Sequence, residues 1–187
     1  MPIRHATASD LPEIVSIYNA SIPGRMATAD LAPVSVAERK QWFADFDAAR
    51  RPLWVLCADD DPTPRGWLSL RSFYGRAAYE ETVEVGVYTA PDAQRRGYGS
   101  ALLNHALREA PALRIRTLLA FTFGHNVPSL RLFRSAGFGD WNGKARIFHI
   151  TWFECLVTSE QRSALALTAQ HSRQMAPSYP KDFGGFS

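Results

Sequence analysis

Apolar and polar positions along the 187-residue chain switch between a period of about two residues and one of about 3.6, and the switches mark out the elements. Ile3 to Ala6 predicts a short strand. Asp10-Leu11-Pro12-Glu13 has the form of a capping box and opens a helix whose Leu11, Ile14, Val15 and Tyr18 share one face. Ser35-Val36-Ala37-Glu38 repeats the signal ahead of a second helix carrying Val36, Phe43 and Phe46. That helix ends before Arg51-Pro52, because a residue preceding proline avoids helical dihedrals. Between the two, Ser21 to Pro33 reads as a loop.

Leu53 to Ala58 and Gly66 to Phe73 are apolar runs around the aspartates and prolines of Asp59 to Arg65, which predicts a hairpin. Thr82 to Thr89 alternates, with Val83, Val85 and Val87 on one face and Thr82, Glu84, Gly86 and Tyr88 on the other. A glycine inside such a strand predicts a bulge or a close backbone approach. Beyond Pro91, a stripe of Leu102, Leu103, Ala106, Leu107 and Ala110 predicts a helix that stops near Pro111, and Arg116 to Phe123 reads as the next strand. Strand, helix and strand together make a βαβ-like unit. A short helix is predicted over Ser129 to Ser135 and one or two strands over Arg146 to Val157. Residues 1–157 are read as one domain. Residues 158–187 follow as a marginal helix, Thr158 to Gln174, and a mobile tail, Ala176 to Ser187.

Composition narrows this picture. Apolar residues make up 46% and charged residues 21% of the chain, enough for one full hydrophobic core. The net charge is only +3, without a basic run interleaved with aromatics, which argues against nucleic acid. No apolar run approaches the roughly 18 residues of a membrane span, and no basic-then-apolar segment opens the chain, so a cytoplasmic protein is expected. Cys57 and Cys155 sit inside apolar runs rather than in a metal-binding or disulfide spacing, so buried thiols and no metal are expected.

The chemistry gathers at Gln94-Arg95-Arg96-Gly97-Tyr98-Gly99-Ser100, which follows a strand and opens a helix. Unpaired amides and the positive end of the helix dipole meet there, making an anion site with Arg95 and Arg96 at its rim. Gly97 and Gly99 are expected to let phosphates approach the backbone; a simple tight turn is the competing reading.

At these residues the chain resembles the GNAT superfamily of acetyltransferases, whose pyrophosphate loop reads Gln/Arg-x-x-Gly-x-Gly/Ala and is filled by Gln94, Gly97 and Gly99. Asn126, Leu132, Gly137 and Phe138 match the family's Asn-x-x-x-x-x-Leu-x-x-x-x-Gly-Phe segment. Ile3-Arg4-His5-Ala6-Thr7, Arg76-Ala77-Ala78-Tyr79 and Thr82-Val83-Glu84 are similar to the phosphinothricin and methionine-sulfoximine acetyltransferase group. The resemblance implies an α/β fold, a mixed, twisted sheet of six or seven strands with helices on both faces, splayed for the pantetheine arm. It implies acetyl-CoA as co-substrate, with Val87, Tyr88 and Thr89 along the pantetheine, Arg95, Arg96, Gly97, Tyr98, Gly99 and Ser100 around the pyrophosphate, and Asn126 in contact with the cofactor.

The expected reaction is direct transfer of acetyl to the primary amine of a small amino-acid-like substrate. Glu84 is the candidate base, with a solvated or ion-paired strand glutamate as the bland alternative. An amide near Val87 or Tyr88 would face the oxyanion if Gly86 or a bulge splays the strand. Arg76 is the candidate carboxylate ligand, beside an exposed loop arginine as its rival reading, and Phe73 and Tyr79 are candidate pocket walls. Two departures stand out. Phe133 occupies a position where many members place tyrosine or histidine as proton donor. From Trp141 onward, including His149, the chain leaves the group's pattern. Acetylation of protein N-termini or lysines, and a non-catalytic acetyl-CoA-binding module, are the rival functions. The family likeness also admits a homodimer.

Overall fold

Alternation along one short strand divides the core in two. In β2 (Leu53–Cys57) every residue is buried, but Trp54 and Leu56 join one hydrophobic cluster while Leu53, Val55 and Cys57 join another. Period-two geometry sends neighbours to opposite faces of the sheet, so both faces are covered. A computed structural model describes residues 1–74, 77–140 and 150–156, the last seven and Asp140 by backbone alone.

On the first face, β3 (Pro64–Ser72) and β4 (Thr82–Thr89) contribute Leu68, Leu70, Val83 and Val85. These pack against Leu102, Leu103 and Ala106 of α3 (Tyr98–Glu109) and Phe133 of α4 (Val127–Ser135). Leu56, Leu68, Leu70, Leu102 and Leu103 have no measurable exposure, and burial of each contributes roughly 2 kcal/mol. The other face is covered by α1 (Leu11–Ser21) through Ile14 and Ile17, with Trp42 and Phe43 of α2 (Val36–Ala44) packed beside them.

With β1 (Ile3–His5), β5 (Thr117–Phe123), β6 (Gly139–Asp140) and β7 (Ile150–Leu156), the sheet runs in the order β1-β2-β3-β4-β5-β7-β6. It is mixed: β4 and β5 are parallel, joined through α3, and the remaining pairs are antiparallel. The parallel ladder is short, running from Thr82 opposite Thr117 to Glu84 opposite Leu119. Beyond it β4 follows β3 as far as Thr89, while β5 follows β7 as far as Phe123. The sheet therefore opens between the two parallel strands.

Several expectations are corrected. The first capping box lies one turn earlier: Asp10 accepts from the N–H and hydroxyl of Thr7 at 2.7 and 2.8 Å and from Arg4 at 2.7 and 2.8 Å, leaving nothing for the start of α1. α2 ends at Ala44, so Phe46 lies past the helix, although it still meets Trp42 edge-on at 4.9 Å. α4 begins two residues earlier than the periodicity indicates, because Asn126 caps it. No bulge occurs at Gly86, where the register is continuous from Gly66 opposite Thr89 to Ser72 opposite Val83. The Ser35 box forms as read, with its N–H donating to Glu38 at 2.6 Å. Arg76, His149 and the expected helix and tail of residues 158–187 lie outside the described residues, as does Trp141. Among the described residues no helix is long and apolar enough to cross a membrane.

Candidate functional site

Strand parity decides which backbone groups face the opening. The N–H of Ala90 donates to Arg65 at 2.9 Å and the carbonyl of Thr82 accepts from Phe73 at 3.4 Å, so even-numbered positions of β4 pair with β3. Odd-numbered positions then face the other edge, and past Glu84 that edge has no partner strand among the described residues. Val87 and Thr89 thus present N–H and C=O groups to the opening. The amide of Tyr88 points the other way, so of the two expected oxyanion donors only Val87 stands on the open edge.

β4 leads through a short turn, Pro91–Ala93, into the glycine loop, anchored by an ion pair between Arg65 and Asp92. Arg95 takes the left-handed conformation at φ 60° and Gly97 takes it at 82° as the N-cap of α3. The first helical bond runs from the N–H of Ala101 to Gly97 at 2.9 Å. Among the described residues, no backbone acceptor takes the N–H groups of Tyr98, Gly99 or Ser100, which is the usual state of a helix start without a side-chain cap. Gln94, Arg95, Arg96, Gly97 and Ser100 are exposed. The two glycines separate in role. Around Gly97 the space a Cβ would take is open, whereas at Gly99 a Cβ would come within 3.2 Å of Leu132, so the lack of a side chain at Gly99 also lets α3 approach α4.

Glu84 lies at the vertex of the opening, half-buried, on the face of the sheet covered by α1 and α2. It lines a cavity of about 110 Å³ together with Ser69 and Arg71 of β3 and the rings of Tyr18, Trp42 and Trp67. No hydrogen bond or ion pair among the described residues takes its carboxylate. Burial pushes its proton affinity above the usual carboxylate range, and Arg71, directly opposite on β3, pulls part of that back. The walls are rigid. Trp67 stacks on Tyr88 at 4.4 Å, donates to the carbonyl of Ile14 at 3.1 Å and meets Trp42 edge-on at 5.8 Å. The guanidinium of Arg39 lies 4.7 Å over the ring of Tyr18.

The segment from Ser21 to Pro33 is expected as a loop; Ser21 instead ends α1, and the residues after it are tied to this end of the molecule by hydrogen bonds. Tyr18 donates to Asp30 at 2.6 Å, Tyr88 to the carbonyl of Ala27 at 3.3 Å, and Asn126 to the carbonyl of Met26 at 2.7 Å. A ring nitrogen of His125 lies 3.0 Å from the carbonyl of Arg25. Asn126 is buried and also accepts from the N–H of Ser129 at 3.1 Å, so its side chain is engaged within the fold at both ends. Phe133 is buried against Phe138 at 5.1 Å and offers no proton. Phe73 is buried and packs edge-on against Tyr79 at 5.5 Å; neither lines the cavity of Glu84.

Sequence reasoning passed over Ser69, Arg71, Arg39 and the aromatic walls. Ser69 and Arg71 were findable: they share parity with Trp67 and alternate with Leu68 and Leu70, and polar side chains at such positions mark a face that meets solvent or a ligand. Gly86 fits the same face. A Cβ there would meet the hydroxyl of Ser69 at 3.1 Å, so the close approach comes from a neighbouring side chain.

Comparison with known proteins places this geometry in a family. The model of the acetyltransferase (GNAT) family matches residues 13–138. The chain is 46% identical over 141 residues to YwnH of Bacillus subtilis (strain 168), named as a presumed phosphinothricin acetyltransferase, covering 75% of this chain and 85% of that one. It is 31% identical over 137 residues to the L-methionine sulfoximine/L-methionine sulfone acetyltransferase of Pseudomonas aeruginosa, covering 73% and 78%. Among solved structures, a GNAT superfamily phosphinothricin acetyltransferase from Sinorhizobium meliloti, in complex with AcCoA, superposes with a TM-score of 0.74 at 28% identity, over 83% of this chain and 87% of that one.

Proposed function

The chain belongs to the acetyltransferase (GNAT) family and is an acetyl-CoA-dependent N-acetyltransferase, and from that premise we propose that Glu84 takes the proton of a small amino-acid-like acceptor as its amine is acetylated. The observation that carries this reading is the position of Glu84: a half-buried carboxylate, unpaired among the described residues, at the vertex of the sheet opening beside a small aromatic cavity.

The residues of the chain fit acetyl-CoA. The free N–H groups at the start of α3, with Arg95 and Arg96 beside them, suit a diphosphate, and the open edge at Val87 and Thr89 suits an amide-bearing arm. Bound there, acetyl-CoA supplies an activated acetyl group. The acceptor arrives as an ammonium ion. Glu84, directly or through one water, removes the proton that blocks its lone pair. The nitrogen then forms the new C–N bond as the C–S bond breaks, and the N–H of Val87 faces the developing negative charge on the acetyl oxygen. As the amide forms the nitrogen gives up a second proton to solvent, and the departing sulfur gains one. Phe133 cannot deliver it, but a thiol with a pKa of about 8.5 leaves readily enough to take its proton from water.

The relatives' names support amino-acid analogues such as phosphinothricin and methionine sulfoximine as acceptors. The small size of the cavity supports a small acceptor over a polypeptide. A thiol-release assay with acetyl-CoA tests the reading, run against a panel of amino-acid analogues, polyamines and peptides. Turnover confined to peptides would remove it. Glu84→Gln is expected to lower kcat by about 10²- to 10⁴-fold with CoA binding retained.

A further inference from the structure

Arg71 and Glu84 are direct partners across the antiparallel ladder of β3 and β4, and both line the acceptor cavity. Side chains so placed leave the sheet on the same face, with Cβ atoms roughly 5 Å apart. One is a guanidinium and the other a carboxylate, yet among the described residues no ion pair joins them and no acid pairs with Arg71. Arg39, the other cation on the cavity, is committed to Asp30 at 3.4 Å and to the ring of Tyr18. Among the described residues, the cavity therefore holds one uncommitted cation beside one uncommitted anion.

An α-amino acid carries the complementary pair, an ammonium and a carboxylate on one carbon. With its nitrogen against Glu84, its carboxylate reaches over the neighbouring strand, where Arg71 stands. We propose that Arg71 is a specificity-determining residue that binds the carboxylate of the acceptor, so that the Glu84–Arg71 pair selects α-amino acids over amines lacking an adjacent acid. The proposal rests on the acetyl-transfer reading and deepens it. Arg71 is exposed and can swing to meet a carboxylate with two parallel hydrogen bonds. The substituent of the acceptor then lies along Trp67, Trp42 and Tyr18. Binding has a second consequence: a carboxylate on Arg71 offsets the positive charge that holds down the proton affinity of Glu84, so the correct acceptor strengthens its own base. A lysine side chain or a peptide N-terminus has no free carboxylate beside its amine and engages only Glu84.

The test uses a matched pair, L-methionine sulfoximine and the same molecule with hydrogen in place of the carboxylate. The wild-type chain is expected to prefer the acid by about tenfold to a hundredfold in kcat/KM, mainly through KM. Arg71→Ala should abolish most of that preference. Arg71→Lys should restore part of it, since a point charge remains without the fork. A preference undiminished in Arg71→Ala overturns the proposal while leaving the transferase reading intact. Calorimetry of methionine sulfoximine binding to the CoA-loaded chain separates the converse case. Binding that depends on Arg71 in a protein that acetylates no amine would sustain the carboxylate site and remove the transferase reading. Binding indifferent to Arg71 would remove the site.

Discussion

Asn126 donates its side-chain amide to the carbonyl of Met26 at 2.7 Å, across a hundred residues of chain, while its oxygen caps α4 through the N–H of Ser129. One buried side chain thus starts a helix and ties down the segment that follows α1. Asn126→Asp keeps the cap and loses the donor; Asn126→Ala loses both. The alanine variant should lose about 1–3 kcal/mol of stability, in the range for a cap plus a buried hydrogen bond, and the aspartate variant less. Tryptic cleavage after Arg25, whose own carbonyl lies against His125, should accelerate in both variants. Cleavage at the wild-type rate would show that the tie does not hold the segment.

Glu84 gives a pH signature with a definite sign. Its proton affinity is raised in the folded chain by burial, so the native state favours the protonated form. That advantage is fully present below the ordinary carboxyl pKa of about 4.3 and is lost as pH rises through the higher folded value. Near neutrality the wild-type chain carries the cost of a partly buried charge that Glu84→Gln does not. The Tm of the glutamine variant relative to wild type should therefore climb as pH rises from about 4, then level off. The acid limb of kcat/KM in wild type should fall over the same raised range. A Tm difference that stays flat with pH would mean Glu84 is solvated, as an ordinary strand glutamate would be.

Much of the site was legible because local signals and tertiary demands agree. The alternation of Thr82 to Thr89 survives in β4, since the face with Val83 and Val85 is buried and the face with Glu84 is only half covered. The glycine loop followed by an amphipathic stripe becomes an uncapped helix start, which backbone geometry alone suffices to specify. What escaped depends on distance. Asp10 looks like a cap for the residues that follow it, but Arg4, brought near by β1, captures its carboxylate. Asn126 reads as a cofactor contact in a motif, and its bond to Met26, a hundred residues away, shows in no local pattern. Arg71 pairs with Glu84 only through the β3–β4 register, which no local pattern shows.

The Arg4–Asp10 pair yields a prediction in the opposite pH direction. Asp10 is buried, and hydrogen bonds from Arg4 hold its pKa down to about 2, helped by those from Thr7. A depressed folded pKa contributes stability that is present above the ordinary value near 3.9 and is lost as pH falls through the folded one. The shift corresponds to about 2 kcal/mol at neutral pH. Asp10→Asn should lower Tm at pH 7, and the gap to wild type should narrow between about pH 4 and pH 2. A constant gap over that range would assign the loss to geometry rather than charge.

Gly97 and Gly99 sit two residues apart and should answer substitution differently. Gly97 has φ of 82° with open space where a side chain would point, so an added methyl group meets no atom but strains the backbone. Left-handed conformations cost ordinary residues roughly 1–2 kcal/mol, and asparagine tolerates them better than alanine. Gly99 lies within α3, where alanine gains about 0.5–1 kcal/mol of helix propensity, but its methyl would press on Leu132 at 3.2 Å. A flexible leucine end can yield a few tenths of an ångström, so these effects largely offset. Thermal unfolding should rank Gly97→Ala below Gly97→Asn, with Gly99→Ala close to wild type. If Gly97→Ala instead unfolds like wild type, the left-handed turn at the start of α3 is not the conformation of the loop in solution.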